Sequence, residues 1–374
     1  MIKVMSVFGT RPEAIKMCPL ILELEKNKEI DSVVCLTGQH REMLDQVIDI
    51  FKINVQYDLN IMKPKQTLTT ITVSVLEKLE DILNKEKPDL LLVHGDTTTS
   101  FVVALAAFYQ KIPVGHVEAG LRTYNKYSPF PEEMNRNLTG KIAELHFSPT
   151  SNNKDNLYKE NIKDNVFVTG NTVIDAFKTT IKQNYVFKNQ RLNEIDYDNK
   201  KCILMTAHRR ENLGQPLINI CKAVKKITNK YNDVVVVYPV HLNPLVRETA
   251  NNILGSVENV YLIDPVDVED MHNVMARSFI VMTDSGGLQE EAPSCGVPVL
   301  VMRTETERPE AVEAGTVKVV GINEDDIYNA AEKLLDNKDE YQKMAKSINP
   351  YGDGHASERI ADYIVNWYRE KVKK

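Results

Sequence analysis

Two segments of the sequence place a histidine and then a carboxylate two residues apart as an apolar run ends. They are His94 with Asp96 in LLLVHGDTTTS, and His116 with Glu118 in PVGHVEAGLRT. Residues i and i+2 of a strand face the same way, so each pair shares one side of its strand. SPFPEEMNRN adds Glu132 and Glu133 at a helix start, after two prolines. Carboxylates converging on one cleft suit proton transfer, because neighbouring like charges push one of the pKa values upward. Two histidines and two acids are also the ligand types of a metal site. Against that, strand-end histidines often bond backbone, and helix-start glutamates often serve only the helix dipole. No metal is expected.

A second set of residues suits an anion. In TDSGGLQEE (283–291), Ser285 and the amides of Gly286 and Gly287 can hold a phosphate. No lysine follows, as it would in a P-loop; Glu290 and Glu291 follow instead. A carboxylate only accepts hydrogen bonds, so Glu291 suits the two hydroxyls of a ribose. The positive charge must then come from elsewhere, notably Arg308 and the first half of the chain. There, FGTRPEAIKMCPL ends a strand at Phe8 and starts a helix with Pro12, Arg11 and Lys16, a setting for a diphosphate. Its spacing is not GxGxxG, which counts against a dinucleotide enzyme. TAHRRENLG sets His208 at another strand end, backed by Arg209, Arg210 and Glu211, and YPVHLNP adds His241. His208 could donate a proton or hydrogen bond to a departing phosphate. Taken singly, each segment also reads as an ordinary capped strand–helix turn.

The elements that must position these residues are legible in the apolar pattern. Strand-like runs at 2–8, 32–36, 90–93, 114–117, 145–148 and 166–169 alternate with amphipathic segments such as 14–24, 68–83 and 98–109. This is the βαβ pattern of a parallel sheet buried on both faces. After a helix from 171, the polar stretch KNQRLNEIDYDNK lacks an apolar period and reads as a linker. A second series follows at 202–206, 234–238, 260–263, 279–283, 297–302 and 317–320, ending in a helix at 356–371. The expected organisation is a first domain over 1–170, a connecting helix and linker over 171–200, a second domain over 201–355, and a final helix over 356–374. The fold class is α/β, with two doubly wound domains and a cleft implied between them, where ligands meet the carboxyl ends of strands.

Bulk properties set limits. The chain has 374 residues, 43% hydrophobic and 26% charged, which suits a globular protein of two domains. A net charge of −6 does not indicate a nucleic-acid surface. The five cysteines are scattered without a CxxC, and Cys18, Cys35 and Cys202 lie in apolar runs, as buried reduced thiols do. No signal peptide and no membrane-length apolar stretch is present in the sequence, so the expected location is cytoplasmic, with no membrane partner.

Together the segments GTRPEAIKM, HGDTTT, HVEAGLRT, PEEMNR, TAHRREN, DSGGLQEEAPSCGVPVLVMR and TERPEAVEAGT closely resemble the non-hydrolysing UDP-N-acetylglucosamine 2-epimerases, in family order and over nearly the whole chain. The resemblance implies two Rossmann-like domains facing a central cleft, as in the glycosyltransferase-B fold, with the last helix packing back on the first domain. It implies ligand contacts at Arg11, Lys16, Asp96, Glu118, His208, Ser285, Gly286, Gly287, Glu291 and Arg308. Two further contacts fall at Val266 and Met271, where relatives commonly carry Gln and Phe. Asp96, Glu118 and Glu132 match the family's catalytic acids, and His208 joins them at the diphosphate. A second, activating UDP-GlcNAc site is implied at Gln39, Glu42, Lys65, Glu132, an arginine of the pair Arg209 and Arg210, and His241; Glu42 and Lys65 replace a Gln and an Arg of some relatives.

The implied reaction interconverts UDP-GlcNAc and UDP-ManNAc. UDP leaves C1, the C2 proton is removed, 2-acetamidoglucal and UDP stay trapped, and UDP adds back with a proton on the other face. No cofactor is implied, and a homodimer is expected. The rival readings are a hydrolysing epimerase that releases ManNAc and UDP, a UDP-sugar glycosyltransferase, and a non-catalytic nucleotide-sugar-binding protein.

Overall fold

Apolar runs that alternate with amphipathic helices become two parallel sheets in the computed structural model, which describes residues 1–38, 42–63 and 66–373, with Glu42 known by its backbone alone. The chain divides into two units: Met1–Thr179 joined by the segment from Tyr351 onward, and Thr180–Pro350.

In the first unit the strands are β1 (Ile2–Phe8), β2 (Ile30–Leu36), β3 (Tyr57–Asp58), β4 (Leu90–His94), β5 (Val114–Val117), β6 (Leu145–Ser148) and β7 (Val166–Val168). Their order is β3-β2-β1-β4-β5-β6-β7, all parallel. Leu90, Leu91, Leu92 and Val93 are fully buried, as a strand covered on both faces requires. The covering helices present stripes at helical spacing, such as Ile71, Val75, Leu79 and Leu83 of Leu68–Glu86. β3 is the strand that the sequence pattern does not announce, because two residues carry no alternation.

The last helix, Ala356–Val372, belongs to this unit, as the resemblance implies. It buries Ile360, Ala361, Ile364 and Val365 and packs on the helix Arg11–Lys26. Its first turn is capped from a distance: Asp175 accepts from the amides of Ala356 (3.2 Å) and Ser357 (2.8 Å). Burial pushes the Asp175 carboxyl up, and these amides pull it back.

The second unit holds β8 (Lys201–Thr206), β9 (Val234–Pro239), β10 (Val260–Ile263), β11 (Ile280–Thr283), β12 (Val299–Val301) and β13 (Val317–Val319), parallel and in the order β10-β9-β8-β11-β12-β13. Each unit thus contains the 3-2-1-4-5-6 order of a Rossmann-like sheet, and the chain reverses direction across the sheet at β1/β4 and at β8/β11.

Residues 171–200 form short helices at Thr172–Asp175, Phe177–Thr180 and Gln190–Asn193. A buried acid helps fasten the start of the polar stretch that reads as a linker, beside the ion pairs of Lys188 with Asp267 and Glu269. Asp270 accepts from the amides of Lys188 and Asn189, both at 3.0 Å, and from the Tyr185 hydroxyl at 2.8 Å. All five cysteines are free thiols, Cys295 half-buried and the others buried. Among the described residues no helix is long and apolar enough to cross a membrane.

Candidate active site

Ligands of doubly wound sheets bind where the strand order reverses. At β1/β4 the chain leaves β1 through Gly9 and Thr10, and Thr10 caps the helix Arg11–Lys26. The buried carboxylate of Glu13 ties two loops together. It accepts from the amides of Gly9 (2.9 Å) and Thr10 (2.7 Å), and from the hydroxyls of Thr97 (2.6 Å) and Ser100 (2.8 Å) beyond β4. Arg11 stands half-buried at the first helical position, and Lys16 one turn further on is ion-paired to Glu118.

Asp96 follows Gly95, whose positive φ of 62° turns the chain out of β4. The imidazole of His116 bonds the Gly95 carbonyl at 2.7 Å. Burial drives His116 down to about 3, so it is neutral and donates through Nε2. His94, also buried, is lowered by the same cause; its Nε2 lies 3.8 Å from Glu118, too far for a hydrogen bond. His116 is thus a neutral, backbone-bonding group, and His94 a buried imidazole whose Nε2 has no hydrogen-bond partner among the described residues.

Asp96 keeps 29% of its side chain open to solvent and is ion-paired to Arg136, four residues along the helix from Glu132. Burial raises its pKa and Arg136 lowers it; the charges of Glu118 and Glu132 raise it further, leaving the carboxyl above its ordinary value. Glu118 and Glu132 are thus both within electrostatic reach of Asp96. Glu118 is held in the left-handed region, φ 64°, with Asn171 Nδ2 at 3.3 Å from its carboxylate. Glu133 does other work: it accepts from the amides of Thr123 (3.0 Å) and Tyr124 (2.8 Å), fixing the loop after β5.

At β8/β11 the second set assembles. Ser285 begins the short helix Gly286–Glu291, and its amide bonds the Thr283 hydroxyl at 2.9 Å. A Cβ on Gly286 would lie 3.6 Å from Arg308 Nη2 and 3.8 Å from Arg209 Nη2. Two guanidinium groups therefore flank the turn. Arg308 is in turn ion-paired to the buried Glu290. On Gly287 a Cβ would meet Glu291 Oε1 at 3.2 Å, which keeps the second glycine small. Glu291 has the buried His272 at 3.4 Å from its other oxygen.

His208 follows β8. Its amide and that of Arg209 both donate to Asp284 at 2.8 Å. Burial lowers the imidazole pKa, opposed by the Asp284 charge. The His241 ring stands edge-on at 5.2 Å, accepting from the Asn243 amide at 3.1 Å. Arg210 is exposed in the adjoining short turn, and Val266 and Met271 are half-buried before and within the helix Val268–Ala276. Gln39, Lys65 and the Glu42 side chain lie outside the described residues. Among the described residues no group of three or more histidines, cysteines or acids could hold a metal ion.

Three residues that the sequence reading passed over now stand out: Glu13, Arg136 and Asp284. Thr10 and Glu13 have the spacing of a capping box, so Glu13 carried a local signal. Arg136 and Asp284 did not, since their partners lie 40 and 76 residues away.

Paired Rossmann-like units, one bearing an acid cluster and the other a phosphate-friendly turn between arginines, define a protein of the glycosyltransferase-B-like class. A glycosyltransferase of kitacinnamycin shares that fold at 12% identity and a TM-score of 0.66, with 98% of each chain covered. The chain belongs to the UDP-N-acetylglucosamine 2-epimerase family, whose model matches residues 22–365. A UDP-N-acetylglucosamine 2-epimerase of Bacillus subtilis (strain 168) is 58% identical over 368 residues, 98% of this chain and 96% of that protein. The crystal structure of the Neisseria meningitidis UDP-GlcNAc 2-epimerase bound to UDP-GlcNAc matches with a TM-score of 0.88 at 52% identity, covering 97% of this chain and all of that one.

Proposed function

We propose that the protein interconverts UDP-GlcNAc and UDP-ManNAc without hydrolysis, by elimination and re-addition of UDP. The C2 hydrogen of the sugar is not next to a carbonyl, so direct deprotonation and reprotonation would be slow. In the proposed route the C1–O bond breaks and its electron pair leaves with UDP. A carboxylate takes the C2 proton, and the C–H electrons form the C1=C2 bond of 2-acetamidoglucal. UDP then adds back to C1 while a carboxylic acid delivers a proton to the opposite face of C2. Atoms and charge balance without a redox cofactor or a metal.

The observation that carries this reading is the acid cluster. Burial and the charges of Glu118 and Glu132 hold Asp96 above its ordinary pKa, the direction that favours a carboxyl able to both take and give a proton. The Ser285–Gly287 turn with Arg209 and Arg308, together with Arg11, Lys16 and His208, stabilises the charge that develops on the departing diphosphate. Glu291 takes the ribose hydroxyls, and Val266 and Met271 sit by the base. The reading extends to a second, activating UDP-GlcNAc held by Gln39, Glu42, Lys65, Glu132, Arg209 or Arg210, and His241. It also extends to a homodimer in the cytoplasm that supplies ManNAc for cell-surface polysaccharide.

Incubation with UDP-GlcNAc in D2O, followed by NMR, tests the scheme. The expected result is UDP-ManNAc carrying deuterium at C2 while the sugar stays nucleotide-linked. Free ManNAc with UDP as the main product would favour the hydrolysing reaction. Conversion without deuterium uptake would remove proton exchange at C2 from the mechanism.

A further inference from the structure

Asp284 has no task in the scheme above, yet it lies at the β8/β11 switch point with its whole side chain buried. Its two oxygens are used unequally. Oδ2 accepts three hydrogen bonds, from the His208 amide (2.8 Å), the Arg209 amide (2.8 Å) and Asn212 Nδ2 (3.0 Å). Oδ1 is buried with no hydrogen-bond partner and lies 3.8 Å from Nδ1 of His208. Holding the 208–212 loop needs only one oxygen, which an asparagine would supply. A bare, buried carboxylate oxygen is costly, and such atoms in native folds call for a reason.

We propose that Asp284 is a positioning residue for His208, whose Nδ1–H closes onto Asp284 Oδ1 when a diphosphate occupies the Ser285–Gly287 turn, leaving Nε2–H to donate to a diphosphate oxygen. The identity of the anion rests on the epimerase reading; the pairing of the two side chains does not. The movement required is small. The His208 amide is already anchored to Oδ2, and its side chain is 41% exposed, so a ring rotation of about 1 Å at Nδ1 brings 3.8 Å within hydrogen-bond range.

The charges around the ring explain why the pair waits for a ligand. Burial, the His241 ring and Arg209 all disfavour the imidazolium, while Asp284 favours it. Without an anion, the disfavouring influences prevail and the ring is neutral at neutral pH. A diphosphate adds negative charge on the Nε2 side, and the ring is then flanked by anions at both nitrogens. Asp284 fixes which nitrogen faces the ligand, as the third group does in nucleophile–base–orienter arrangements.

The test uses the full chain with isotope-labelled histidine, followed by NMR with and without UDP, the His208 signals being assigned with a His208→Gln variant. In the wild type, UDP is expected to raise the His208 pKa and leave both ring nitrogens protonated at neutral pH. In Asp284→Asn, the proton affinity of His208 should fall about tenfold or more. With UDP-GlcNAc, kcat should fall about tenfold to a hundredfold with KM little changed. An unchanged His208 titration in a folded Asp284→Asn protein overturns the proposal. Should that variant fail to fold, the wild type alone decides: a UDP-bound His208 whose Nδ1 carries no proton overturns it equally. Absence of any turnover, with the His208 response to UDP and to Asp284→Asn intact, sinks the epimerase reading and leaves the pairing standing.

Discussion

The carboxyl of Asp96 stands under opposed influences, and Arg136 is the one that can be removed. Burial and the charges of Glu118 and Glu132 raise its pKa; the Arg136 guanidinium lowers it by charge and by hydrogen bond. The Arg136 side chain is only 10% exposed, so methionine is a packing-compatible replacement. In Arg136→Met, Asp96 should hold its proton to a higher pH than in the wild type. If Asp96 is the base, it works only when ionised, so the acid limb of the kcat/KM profile moves up. If it is the acid, it works only when protonated, so the alkaline limb moves up instead. The limb that moves assigns the role, and a pH profile identical to wild type would show that Asp96 takes no part in the proton transfers. Burial and partner, rather than residue type, set this behaviour, and the sequence alone could name the acids without ranking them.

Among the elements, the end of β5 carries a visible strain and a visible support. Glu118 adopts φ 64°, a conformation unfavourable to a side-chain-bearing residue. Two residues on, Gly120 has φ 93°, and a Cβ there would lie 2.1 Å from the Asn153 carbonyl oxygen in the helix Ser151–Lys159. The helix backbone thus closes against the turn that aims Glu118. Gly120→Ala must displace one or the other, and we expect a loss of about 3 kcal/mol or more in denaturant unfolding, from φ strain and overlap together. Turnover should fall with it; a variant within about 0.5 kcal/mol of wild type would mean that the turn repacks freely. The strands themselves were plain in the sequence because a sheet covered on both faces needs unbroken apolar runs, as in Leu90–His94. The short β3 was not, and neither was the break in the helical pattern after 171. There Asn273 takes the Thr180 carbonyl (2.7 Å) and the Lys182 amide (3.0 Å), groups that a longer helix would have bonded within itself. Likewise Glu13 was readable as a capping residue, but its hold on Thr97 and Ser100 comes from strand order, which local pattern does not carry.

At the level of the whole chain, the two units differ in how they are assembled from sequence. The second is one continuous stretch, whereas the first needs the segment from Tyr351 onward to be complete. That segment is bound at several points. The Tyr351 carbonyl accepts from the Asn171 amide at 2.6 Å, Arg359 reaches the Thr169 carbonyl at 3.0 Å, and the Tyr363 ring stacks on Phe167 at 4.1 Å. Burial of Ile360, Ile364 and Val365 is worth about 1.5–3 kcal/mol each, before the lost caps on Asp175 are counted. A domain's whole stability is about 5–15 kcal/mol, so a chain ending at Pro350 should leave the first unit largely unfolded. The second unit keeps its own core, from Ile203 through Leu335. Hydrogen exchange read by mass spectrometry on the truncated chain should then find β1 and β4 unprotected and β8 and β11 still protected. The chemistry should divide the same way. UDP should still bind through the Ser285–Gly287 turn, while C2 deuterium exchange, which the proposed mechanism assigns to Asp96, Glu118 and Glu132, should vanish. Protection retained in β1 and β4 would show that the last helix is an accessory, and the acid cluster would then owe its geometry to the first 179 residues alone.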